Sequence, residues 1–196
     1  SGPHAEAEVK VEVSQHDCHR LAELLVRKGF AAGAHQEVTD YYAEFSPSAI
    51  GAGWDFTRLR VAPGEPPLVT RKRWQRDTAG DPVRMEEECE APADETEHLM
   101  DRTPRGMTLR KTRVDYHGTI GCLAATVSHD DLTLGAGHRY FLECEVKTGA
   151  EGYAGTLAEI RRWLRNDLGL ALAREAPTML ELLIQYRARL AGAERA

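Results

Sequence analysis

The 196-residue chain lacks the cysteine pairs that organise a zinc site or a disulfide framework. Its four cysteines, Cys18, Cys89, Cys122 and Cys144, stand far apart with no CxxC or CxxH spacing. Buried, reduced thiols are the expectation. An excess of positive charge is also missing: 25 Lys and Arg stand against 31 Asp and Glu, a net charge of −6, which argues against a whole-surface binder of nucleic acid or anionic membrane. No apolar run approaches the ~20 residues that span a bilayer, and no charged-then-apolar leader opens the chain. The protein is therefore expected to be soluble and cytoplasmic, without a membrane partner. There is no internal repeat and no low-complexity tract. Gly51-Ala52-Gly53 and Gly135-Ala136-Gly137 lack the strand-turn-helix setting of a dinucleotide loop and read as turns. The length suits a single domain with a sizeable core, expected over 5–196. Ser1-Gly2-Pro3-His4 is expected to be a remnant of processing outside the fold.

What the chain has is alternation. Residues 5–14, Ala-Glu-Ala-Glu-Val-Lys-Val-Glu-Val-Ser, put small or apolar groups on one face of a strand and charge on the other. Asp17 or Ser14 is placed to cap a following helix, with Leu21, Leu24 and Leu25 at helical spacing and Gly29 as its stop. Further strands are predicted near 38–44, 56–62, 67–75, 83–90, 108–116, 120–128 and 139–148, separated by Pro, Gly and Asp. Helical patterns fit 94–101, 153–168 and 177–191, with Pro177 in the first turn of the last. The closing Ala-Gly-Ala-Glu-Arg-Ala segment reads as a frayed end. The fold class is α+β, mainly antiparallel β.

The charged faces repeat paired units. Arg84, Glu86, Glu88 and Glu90 share one face, as do Glu143, Glu145 and Lys147; Arg58 with Arg60, Thr70 with Lys72 and Lys111 with Arg113 are spaced alike. A sheet with one face in water produces such alternation in any single strand. Repeated Glu-x-Glu and Arg-x-Arg units are another matter, because like charges two residues apart repel. The repulsion is offset when opposing strands close into a tunnel where the signs pair, or when a ligand supplies counter-charge. Paired carboxylates suit the hard ions Mg²⁺ and Mn²⁺, and guanidinium groups match phosphate oxygens bidentately. A metal-bound polyphosphate satisfies both sets.

These residues resemble the CYTH proteins, the triphosphate tunnel metalloenzymes. Glu6-Ala7-Glu8-Val9-Lys10 is similar to the family's opening ExExK, and Asp40-Tyr41-Tyr42 to its D-x-Y. Arg58-Leu59-Arg60 is similar to its R-x-R, Thr70-Arg71-Lys72 to its T-x-K and Arg84 to Glu88 to its R-x-E-x-E. Lys111-Thr112-Arg113 is similar to its K-x-R and Glu143-Cys144-Glu145 to its closing E-x-E. The resemblance covers about 5–147, and the helices near 153–191 lie beyond it. It implies a closed eight-stranded β tunnel with helices packed outside, acting on a triphosphate-containing small molecule with Mg²⁺ or Mn²⁺. Glu6, Glu8, Glu143 and Glu145 would hold metal, and Arg58, Arg60, Lys72, Arg84, Lys111 and Arg113 would hold phosphate. Glu86, Glu88 and Asp131 would complete a second metal site or orient water, and Lys10 would contact phosphate or tune a neighbouring Glu. Two departures stand out. The family's Asp before Leu-Gly, for which Asp131 is chosen over Asp130, stands farther from Glu143 than in the family, and the cyclase branch's His-Phe element has no counterpart. The missing element sets the cyclase reading behind hydrolysis, with inorganic triphosphate favoured over thiamine or nucleoside triphosphates. A class IV adenylyl cyclase reading and a non-catalytic polyphosphate or nucleotide sensor remain as alternatives. An RNA 5′-triphosphate and a homodimer built through exposed helices or a sheet edge stay open.

Other signals carry less. Ser128-His129-Asp130-Asp131 reads as a strand end and lacks the further His ligands of a metal phosphohydrolase. His16 and His19 read as a solvated pair. Arg71-Lys72-Arg73 and Arg161, Arg162 and Arg165 read as solvated faces ahead of an RNA contact. Trp54, Trp74 and Trp163 are assigned to packing.

Overall fold

A strand that alternates apolar and charged residues can bury only one face, so it needs a cover for that face and partners for its backbone. Both are present in the computed structural model, which describes residues 2–172 and 175–194. Nine strands are described: β1 (His4–Val13), β2 (Ala31–Ala32), β3 (Gln36–Pro47), β4 (Trp54–Val61), β5 (Leu68–Arg76), β6 (Pro82–Glu90), β7 (Thr108–Ile120), β8 (Leu123–Leu134) and β9 (Gly137–Thr148). Four α-helices join them: α1 (Gln15–Arg27), α2 (Ala93–Arg102), α3 (Tyr153–Asn166) and α4 (Met179–Ala193). The fold is mainly antiparallel β with helices, as the alternation predicts. The chain gathers into two compact units, each drawn from separated stretches. The first takes in His4–Glu37 and Lys111–Ala176; the second takes in Val38–Arg110 and the stretch from Pro177. No helix among the described residues is long and apolar enough to cross a membrane.

In the first unit the strands pair antiparallel in the order β2, β7, β8, β9, β1. Gly121, at φ 60, turns β7 into β8, and Gly135, at φ 71, turns β8 into β9. Only glycine adopts such angles without strain. Val9 stands opposite Cys144, and Ala5, Ala7, Val11, Val127, Leu142 and Val146 extend the same buried apolar surface. Helix α3 lies on β1 and β9 and buries Ile160, Trp163 and Leu164. Helix α1 buries Leu21 and Leu25. Ser14 caps it by accepting the Asp17 N–H at 3.1 Å, and Gly29, at φ 87, follows its end. Phe30 then packs on Trp163 with ring centroids 5.5 Å apart.

The second unit is a meander, β3-β4-β5-β6, with Tyr41 opposite Leu59, Leu59 opposite Val69 and Val69 opposite Cys89. A bulge interrupts β3 between Tyr42 and Glu44. Ala43, Leu59, Val69 and Ala91 pack with Leu99 of α2. Helix α4 buries Met179, Leu180, Leu182 and Leu183 and opens with a full capping box between Thr178 and Glu181. Pro177 precedes that cap and is not in the first turn.

The sequence misplaces one hairpin. Gly121 carries the turn, so β7 runs on to Ile120 and β8 reaches Leu134, which puts His129, Asp130 and Asp131 in mid-strand. β1 also takes in His4. The two-residue β2 has no pattern of its own to betray it. Cys18 and Cys144 are buried as expected, whereas Cys89 and Cys122 are exposed.

Candidate active site

On the charged face of the first unit the strand register sets acid against base. Lys10 is paired with Glu143 and Glu8 with Glu145 across β1 and β9. Lys10 Nζ lies 2.7 Å from Glu143 Oε2 and 4.0 Å from Glu8 Oε1. Arg113 donates to both oxygens of Asp130 at 2.7 Å and to Glu143 Oε1 at 3.3 Å. Lys111 Nζ adds a 3.0 Å bond to Asp130. Lys10, Lys111, Arg113, Asp130 and Glu143 are all buried, so their charges interact in a medium that screens them poorly. Burial alone would push the Asp130 carboxyl up, but the charges of Arg113 and Lys111 outweigh it and hold the group well below the usual carboxylate range. Burial likewise works against the Arg113 charge, and Asp130 and Glu143 more than restore it.

Beyond this network lies an acidic group. Glu6, Glu8 and Glu145 present oxygens within 4.8 Å of one another, with Glu6 buried and the other two partly so. Three hard oxygen donors on two neighbouring strands fit a divalent ion such as Mg²⁺ or Mn²⁺. Glu143 is ion-paired with Lys10 and Arg113.

The second unit repeats the theme. Asp40, fully buried, receives a bidentate fork from Arg60, Nε to Oδ1 at 2.8 Å and Nη2 to Oδ2 at 2.9 Å, with Arg58 Nε 4.0 Å from Oδ1. Arg58 donates to Thr70 Oγ1 at 3.0 Å, and the Thr70 hydroxyl in turn donates to Glu88 Oε2 at 3.0 Å. Lys72 Nζ sits 3.3 Å from Glu86. Arg84 turns aside and donates to the Trp54 carbonyl at 2.6 Å.

No family model matches the sequence, and no curated protein does either. Solved structures do match. A protein described as a candidate adenylate cyclase from Vibrio parahaemolyticus superposes with a TM-score of 0.58 at 16% identity, covering 94% of this chain and 99% of its own. The chain has the CYTH fold. A candidate adenylyl cyclase from Hippeastrum, whose structure is described as revealing a dominant triphosphatase activity, matches with a TM-score of 0.46 at 15% identity, covering 84% of this chain and 87% of its own. A candidate adenylate cyclase from Bacillus halodurans matches with a TM-score of 0.46 at 16% identity, covering 91% of this chain and 95% of its own.

Within the CYTH fold, the structure brings Lys10, Lys111, Arg113 and Glu143 into one network and Glu6, Glu8 and Glu145 into one group. Arg58, Arg60, Lys72, Glu86 and Glu88 share the face of the second unit. Asp131 does not join. Its neighbour in space is His138, 3.1 Å away, and its side chain is 42% exposed, because it points to the side of β8 opposite Asp130. Asp130 takes the buried position. Asp40 was legible as a motif residue and is now seen to anchor both arginines of β4. Ser128, two residues before Asp130 on the same strand face, is buried and donates to Asp115 at 2.6 Å.

Proposed function

We propose that the chain is a metal-dependent triphosphatase, favouring inorganic triphosphate and working in the cytoplasm with Mg²⁺ or Mn²⁺. The observation that carries this reading is the juxtaposition in the first unit: a carboxylate trio, Glu6, Glu8 and Glu145, beside the cations Lys10, Arg113 and Lys111. A sensor of polyphosphate needs only the basic half of that set. A divalent ion held by the trio would polarise phosphoryl oxygens and lower the pKa of the attacking water. Lys10, close to both Glu8 and Glu143, is positioned to meet a phosphate oxygen next to the trio. Asp130 and Glu143 fix the Arg113 guanidinium before substrate arrives, so little reorganisation remains when charge grows on the phosphoryl group in the transition state. On the charged face of the second unit, Arg58, Arg60 and Lys72 are cations suited to phosphate oxygens, with Asp40, Thr70 and Glu86 orienting them. Glu88 is assigned to orienting Arg58 through Thr70.

Glu8→Gln and Glu145→Gln test the reading. Each keeps the side-chain shape and removes a charge from the trio. Metal-dependent phosphate release should fall by about two orders of magnitude or more in both, with the circular dichroism spectrum unchanged. Full turnover in both variants would contradict the assignment of the trio.

A further inference from the structure

The charged face of the second unit changes character at one end. Arg58, Thr70 and Glu88 stand in one row across β4, β5 and β6, and Phe56, Lys72 and Glu86 in the next. One step further Trp74 faces Arg84, and Trp54 lies two residues before Phe56. Aromatic rings beside a phosphate-binding row are what a nucleobase or another planar group stacks on. Here Arg84 already occupies them. Its guanidinium carbon lies 5.2 Å from the Phe56 ring centroid and 5.3 Å from that of Trp74, and both Arg84 and Phe56 are buried. The side chain crosses β5 to reach the Trp54 carbonyl on β4, with the Asp55 carboxylate 3.8 Å from the same nitrogen. Asp55 also accepts the Trp74 backbone N–H at 2.8 Å, so the cation and the ring share an anchor. The loop before β4 presses on the indole: a Cβ at Gly51 would lie 2.2 Å from Trp74 Cδ2.

We propose that Arg84, clamped between Phe56 and Trp74, is a stop that closes this end of the face to any group larger than phosphate. The preferred substrate is then a polyphosphate with unsubstituted ends, and triphosphates esterified to a nucleoside or another bulky alcohol are turned away. The inference rests on the triphosphatase reading for what the face binds, and it recasts Arg84 from a phosphate ligand into a specificity determinant.

Isothermal titration with tripolyphosphate and with the β,γ-imido analogue of ATP, using Ca²⁺ to slow turnover, separates the two ideas. The wild-type chain should bind tripolyphosphate at least about tenfold more tightly than the analogue. Trp74→Ala should bring the two affinities within about threefold by improving the analogue, whereas Trp74→Phe, which keeps a ring under the guanidinium, should preserve the preference. Equal affinities in the wild-type chain overturn the stop, and that measurement stands even if Trp74→Ala does not fold. An unchanged ratio in a folded Trp74→Ala also overturns it. Selective binding of tripolyphosphate without hydrolysis in Mg²⁺ supports the stop while sinking the triphosphatase reading. Binding of neither ligand overturns both.

Discussion

Single side chains decide how each charged face holds together. Arg60→Ala removes a candidate phosphate contact, but Arg60 also neutralises fully buried Asp40 through two hydrogen bonds. Removing one partner of a buried pair leaves the other charged and desolvated, so a loss of about 3 kcal/mol is expected, read as a fall in the denaturant midpoint. An unchanged midpoint would show that Arg58 alone compensates Asp40. Asp130→Asn should weaken both turnover and stability. Because the Asp130 pKa is depressed when folded, its contribution is full above the ordinary value of 3.8 and is lost as pH falls toward the depressed one. The stability gap between wild type and Asp130→Asn should therefore close below about pH 4; a constant gap would contradict the ion-pair account. Preference for Asp131 over Asp130 in the sequence has a simple cause. With β8 taken to end near 128, the two-residue period could not be extended to say which Asp shares a face with Ser128.

The behaviour of His129 couples a residue to the seating of α1. Its Nε2 lies 2.7 Å from Cys18 Sγ. Burial lowers the His129 pKa below 6.5 even though Asp130 and Asp131 pull it up, and burial pushes the Cys18 thiol up to about 11, so the pair is neutral at neutral pH. A histidine that resists protonation when folded contributes stability above its ordinary pKa and loses it as pH falls through that value. Tm should drop as pH falls through about 6.5, and His129→Gln should remove most of that slope. An identical slope in the variant would place the titration elsewhere.

Elements were legible where their period was long and their ends were marked. The apolar stripe of α3 and the Ser14 and Gly29 signals around α1 appear in the structure close to where the sequence puts them. The α4 start is marked twice, by Pro177 and by Thr178 with Glu181 three residues on, and Thr178→Ala should cost about 1 kcal/mol of stability, measured by chemical denaturation. No change would mean that apolar burial by Leu180 and Leu183 carries the helix start unaided. The β7–β8 hairpin was legible only in part. Apolar and polar residues alternate through 108–134 with little interruption, so Gly121 and its positive φ, invisible in a pattern of side chains, carry the turn.

At the scale of the whole molecule, alternation of charge with apolar residues was enough to read a mainly antiparallel fold and to separate covered faces from charged ones. It could not say which charges pair. Glu143 and Glu145 look equivalent in sequence, and only the register across β1 and β9 gives one to Lys10 and the other to the carboxylate trio. Nor could it show that each compact unit draws on separated stretches of chain, since that depends on contacts distant in sequence. The central claim is chemical, and the most direct measurement follows products: phosphate and cyclic AMP released from tripolyphosphate, thiamine triphosphate and ATP, each with Mg²⁺, Mn²⁺ or chelator. The account predicts phosphate from tripolyphosphate, dependent on Mg²⁺ or Mn²⁺ and abolished by chelator. Cyclic AMP from ATP, or tight binding of tripolyphosphate with no product at all, would contradict it.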